Sequence, residues 1–76
     1  MNSKLPALTP KEVLKALQRI GFYIHHQTGS HIHLRTPEDP RIRVVIPYHS
    51  RDPAPKTLRS IIRQAGLSPK EFLRLL

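Results

Sequence analysis

Ser30-His31-Ile32-His33-Leu34-Arg35 places two imidazoles and a guanidinium at every second position, with Ile32 and Leu34 between them. Period-two alternation of this kind belongs to a strand with one buried face. His31, His33 and Arg35 then leave the strand on one side, spaced about 7 Å apart along it. These groups suit the cleavage of RNA, which brings its own nucleophile in the 2′-hydroxyl. A base must take that proton, an acid must protonate the leaving 5′-oxygen, and cations must hold the charge on phosphorus. Imidazole serves both proton roles near neutral pH. The fork of an arginine donates two hydrogen bonds to a phosphate.

Positioning this strand requires a turn before it and a partner on each side. Phe22 to His26 alternates, with Phe22 and Ile24 towards the core and Tyr23 and His25 away from it; His26 falls on the core side. A three-residue loop, Gln27-Thr28-Gly29, pairs Ile24 with Ile32 and Phe22 with Leu34, and puts Gly29 where such loops need a left-handed residue. In this register His25 faces His31 and Tyr23 faces His33. After the turn Thr36-Pro37-Glu38-Asp39-Pro40, residues 41–46 read as a third strand. Ile42, Val44 and Ile46 point inward; Arg41, Arg43 and Val45 point outward. That register sets His33 opposite Arg43 and His31 opposite Val45, with Pro47 ending the strand.

Two amphipathic helices flank the strands. Thr9-Pro10-Lys11-Glu12 is a helix start with a capping carboxylate three residues after the cap. Val13, Leu14, Leu17 and Ile20 form an apolar stripe that predicts a helix over 10–20, stopped by Gly21. Residues 56–65 repeat the helical period with Leu58, Ile61, Ile62 and Ala65, leaving Lys56, Arg59 and Arg63 off the stripe. Ser68-Pro69-Lys70-Glu71 opens a short last helix. Only one face of each strand is apolar, so the helices must share it. The expected architecture is α+β: α-β-β-β-α with a three-stranded antiparallel sheet, both main helices on one face and a short C-terminal helix. The other face stays open.

A chain of 76 residues makes one domain, 1–76. Thirteen Lys and Arg against five Asp and Glu give a net charge of +8. So basic a small domain points to an anionic partner, above all nucleic acid. No cysteine is present, which excludes disulfides and thiolate metal sites. Residues 1–10 carry no long apolar run, so neither a signal peptide nor a membrane span is expected, and the cytoplasm is the default compartment. The acids are scattered and none is expected on the open face, so a hard-cation nuclease is disfavoured and no cofactor or metal is expected. His25, His31 and His33 are the one grouping that could converge on zinc.

Gly29-Ser30-His31, then Val45-Ile46-Pro47-Tyr48-His49, then residues 57–67 (TLRSIIRQAGL), in this order and at these spacings, resemble the HicA toxins of bacterial toxin–antitoxin systems. The resemblance runs from the first helix to Phe72. It implies a fold like a double-stranded-RNA-binding domain and a ribosome-independent mRNA endonuclease, with the histidine of Gly-Ser-His, here His31, essential. It also implies a HicB-type antitoxin that covers the active face and represses the operon. Gln27 and Thr28 depart from the family, whose members often carry a basic residue just before Gly-Ser-His.

The reading is a type II toxin, a metal-independent endoribonuclease. His31 is catalytic, and Ser30, His33 and His49 are auxiliary candidates. Arg35, Arg43, Lys56 and Arg59 would hold the RNA. The chain would be a monomer alone and assemble further through its antitoxin. A non-catalytic RNA-binding module on the same basic surface is the alternative.

Overall fold

The computed structural model describes residues 5–49 and 51–76. The element order is α1 (Pro10–Gln18), β1 (Tyr23–Thr28), β2 (His31–Arg35), β3 (Arg43–Pro47), α2 (Pro55–Gln64) and α3 (Pro69–Leu73). This is the α-β-β-β-α arrangement of a double-stranded-RNA-binding domain with a short helix appended. The strands form one antiparallel sheet in the order β1-β2-β3.

The helix ends follow from local chemistry. Thr9 Oγ1 accepts from the Glu12 amide at 3.1 Å, and Glu12 Oε1 accepts from the Thr9 amide at 2.8 Å. Ser68 and Glu71 repeat this reciprocal cap on α3. Each box satisfies two amide donors that the first turn would otherwise leave unpaired. α1 closes with the Phe22 amide donating to Leu17 C=O (3.2 Å) and the Gly21 amide to Gln18 C=O (3.1 Å). That closure needs a left-handed residue, and Gly21 supplies it at φ 99°.

Val13, Leu14, Ala16 and Leu17 of α1, Leu58, Ile61 and Ile62 of α2, and Phe72 of α3 are buried together with Ile32, Leu34, Val44 and Ile46 of the sheet. Both main helices therefore lie on one sheet face. They cover β2 and β3; β1 is exposed along its whole length, Ile24 included.

The strand registers differ from the sequence expectation. The β1–β2 turn has two residues, Gly29-Ser30, with Thr28 paired to His31. Gly29 has φ 55°, and no other residue type in the described chain has positive φ, so the pair fits a II′ turn with glycine first. The three-residue loop Gln27-Thr28-Gly29 expected from parity, which pairs Ile24 with Ile32, does not form, and a regular two-residue turn at Gly29-Ser30 would set Ile24 opposite Arg35 on the open face. A β-bulge resolves the conflict: His25 is unpaired, Ile24 pairs with Leu34, and His26 pairs with His33. The extra residue flips the faces beyond it. Tyr23 thus stands opposite Arg35, and His26 joins the open face instead of the core.

On the other side, β3 is shifted by two residues from the expected pairing. His31 faces Pro47, His33 faces Val45, and Arg35 faces Arg43. A shift of two keeps every side chain on its expected face. The strand begins at Arg43 because Arg41 lies in the preceding turn, where its guanidinium meets Asp39 at 3.1 Å. Pro47 is the last strand residue rather than a stop before it. The Val45 amide points away from β2 and donates to Gln64 Oε1 at 3.0 Å. Pro47 has the same parity, so its missing N–H falls on the outer edge and costs no ladder bond.

Candidate functional site

The open face is built from alternate residues of all three strands. β2 contributes His31, His33 and Arg35; β1 contributes Tyr23, His26 and Thr28 opposite them; β3 contributes Arg43, Val45 and Pro47. His31 is exposed, whereas His33 and Arg35 are half-buried by their cross-strand neighbours.

His31 sits at the first position after the turn, opposite Thr28 and Pro47. Its location is fixed from two sides. Gly29-Ser30 closes the hairpin on one side, and on the other the Tyr48 amide donates to Ser30 C=O at 2.6 Å. That bond continues the β2–β3 ladder by one rung and brings His49 to the Ser30 end of the sheet. Ser30 therefore holds the site through its carbonyl.

His33 has the most constrained environment. Its ring stacks on His26 with centroids 4.2 Å apart and planes 11° from parallel. Its Nε2 lies 2.9 Å from Thr28 Oγ1. Partial desolvation, and then the neighbouring His26, His31 and Arg35, hold the imidazole below its ordinary pKa of 6.5. His25 and His26 approach through their Nδ1 atoms at 2.8 Å. One Nδ1 must donate and the other accept, which ties the two rings together at the bulge.

Of the residues assigned from sequence, the structure brings His31, His33, Arg35 and Arg43 onto one face, with Ser30 and His49 at its edge. Lys56 and Arg59 are exposed on α2, in the helical layer. The convergence of His25, His31 and His33 does not occur, because the bulge turns His25 to His26. Among the described residues, no three His, Asp or Glu side chains stand in a metal-holding arrangement. Three of the five carboxylates are engaged elsewhere: Glu12 and Glu71 in helix caps, Asp39 with Arg41. A groove lined by Ile20, Phe22, Ile42 and Leu67 lies at the far end of the sheet from Gly29 and holds no histidine.

Sequence reasoning missed His26 and Thr28. The available signal was Gly29-Ser30 itself: glycine followed by serine suits a II′ pair, which would have set Thr28 beside His31 and demanded an extra residue in β1.

The family model described as HicA toxin of bacterial toxin–antitoxin matches residues 10–67. The chain belongs to the HicA toxin family. The match spans α1 to the close of α2 and includes every candidate site residue; α3, with its buried Phe72, lies beyond it. As a HicA toxin the chain is the toxin component of a toxin–antitoxin system. No curated protein matches it. Among the described residues, no helix is long and apolar enough to cross a membrane.

Proposed function

We propose that this HicA toxin is a metal-independent endoribonuclease that cuts mRNA, with His31 as a proton-transferring group. The observation that carries the reading is the placement of His31 on the uncovered sheet face beside His33, Arg35 and Arg43. A phosphodiester laid across this face meets imidazoles for the 2′-hydroxyl and the 5′-oxygen, and guanidiniums for the phosphoryl oxygens. Each proton-transfer group would contribute roughly 10²–10⁴ in rate. Lys56 and Arg59 would hold backbone that runs past the sheet onto α2. His49 stands near enough along the chain to assist, and Ser30 acts through its backbone.

An uncovered basic face also suits a proteinaceous inhibitor. A HicB-type antitoxin would occupy it, with the toxin monomeric until bound. The cytoplasm, where mRNA is found, is the fitting compartment.

The test is a defined single-stranded RNA incubated with purified protein and excess chelator, native beside His31→Ala. Cleavage by the native protein alone, with RNA binding retained in the variant, supports the reading. Binding without cleavage by either protein makes the face a passive RNA-binding surface and overturns it.

A further inference from the structure

The open face holds a histidine that the His31 chemistry leaves unassigned, and its surroundings are more specific than those of His31. We propose that His33 is the second proton carrier, the base for the 2′-hydroxyl, and that Thr28 and His26 are its positioning residues. The proposal deepens the nuclease reading and rests on it.

The geometry argues for these roles. His31 and His33 leave the same side of β2 two residues apart, about 7 Å along the strand, which suits groups on opposite sides of one phosphorus. The contact of His33 Nε2 with Thr28 Oγ1 at 2.9 Å lets Nε2–H donate to the hydroxyl. Nδ1 then carries the lone pair. The hydroxyl can accept that bond before and after Nδ1 takes a proton, so the ring need not turn during the reaction. The stack on His26 fixes the ring plane.

The charges around His33 favour its neutral form. From β1 it faces His26, with His25 behind, and Thr28. Along β2 it has His31 and Arg35. From β3 it faces Val45, with Arg43 diagonal. No carboxylate faces it among the described residues. A base must begin neutral, and this surrounding keeps it so.

In the step itself, His33 Nδ1 takes the 2′-hydroxyl proton and O2′ forms a bond to phosphorus. The P–O5′ bond breaks, and His31 gives its proton to the departing O5′. One proton enters the imidazole pair and one leaves it. The products are a 2′,3′-cyclic phosphate and a 5′-hydroxyl.

The experiment is single-turnover cleavage of a defined single-stranded RNA by the full chain, with chelator, from about pH 5 to 9. RNA affinity is measured by fluorescence anisotropy and the imidazole nitrogens by ¹⁵N NMR. His33→Gln should lower kcat by roughly 10²–10⁴ with affinity kept, and should remove the acidic limb of the rate profile. Thr28→Val should lower kcat about tenfold at constant KM, and Thr28→Ser should restore it. His26→Phe keeps a flat ring but removes a neighbour that holds the His33 pKa down, so the acidic limb should move to higher pH. The spectra should show the Nε2–H tautomer of His33 in the native chain, a readout independent of activity and of any variant's folding.

If His31→Ala is inactive while His33→Gln keeps both rate and acidic limb, the proposal is wrong and the nuclease reading stands. An Nδ1–H tautomer at His33 also overturns it. If the native protein does not cut RNA, both readings fall.

Discussion

The Tyr48 amide donates to the Ser30 carbonyl at 2.6 Å, so the turn before His31 and the segment that ends in His49 are joined by one backbone bond. This bond lies one rung beyond the His31–Pro47 pair, where β3 leaves the sheet. It ties the loop leading to α2 to the hairpin that carries the histidines. Tyr48→Pro deletes the donor and Tyr48→Leu keeps it. The proline variant should be the less stable of the two by about 1 kcal/mol in urea unfolding, and should lose more cleavage than its stability loss explains.

Gly29 supplies the positive φ that the two-residue turn requires, and nothing lies within 4 Å of where a Cβ would stand. Gly29→Ala therefore meets no obstacle, only the left-handed backbone. The expected cost is about 1–2 kcal/mol by urea unfolding, with RNA cleavage reduced because His31 follows the turn directly.

The pH dependence of stability should carry the mark of His33. Its folded-state pKa lies below the ordinary 6.5, so the unfolded chain takes the proton first as pH falls. The stability contributed by the neutral ring is complete above that ordinary value and declines as pH drops through it. Glu12, Glu71 and Asp39, held below the usual carboxylate range by hydrogen bonds from Thr9, Ser68 and Arg41, act in the same direction at lower pH. Their contribution is present above the ordinary carboxylate value and disappears as pH falls through the folded one. Thermal unfolding from about pH 8 to 3 should show two successive declines, and His26→Phe should shrink the first.

RNA affinity should depend on salt through the open-face arginines. Arg35→Gln and Arg43→Gln should each reduce the slope of log K against log salt by about 0.7 on single-stranded RNA. The double change Lys56→Ala and Arg59→Ala, in the helical layer, should reduce it less than the Arg35 and Arg43 pair. An equal reduction would place α2 in the RNA path as fully as the sheet.

α3 is five residues long, yet Phe72 is fully buried among the core residues. Phe72→Ala should cost about 3–5 kcal/mol, on the scale of the whole stability of a small domain. Ser68→Ala, which removes only the cap, should cost about 1 kcal/mol. Both are read from urea midpoints at constant slope.

The sequence by itself determined the element order, the two capped helices with their apolar stripes, the covered and open faces of β2 and β3, and His31, His33 and Arg35 on one side. These are consequences of periods near 3.6 and 2 and of short-range capping, and neighbours a few residues away decide them. The HicA resemblance, carried by three ordered segments, agrees with the family match. Tertiary structure decided how the strands meet. Ladder pairing connects residues far apart in sequence, and a shift of two in β3 leaves the hydrophobic pattern unchanged, so the pattern had no means of detecting it. The His25 bulge was invisible for a related reason: β1 is an edge strand that neither helix covers, so burial did not constrain its alternation. That one extra residue moved His26 from the core side onto His33 and set Thr28 opposite His31, and so assembled the imidazole cluster from residues whose spacing did not reveal it.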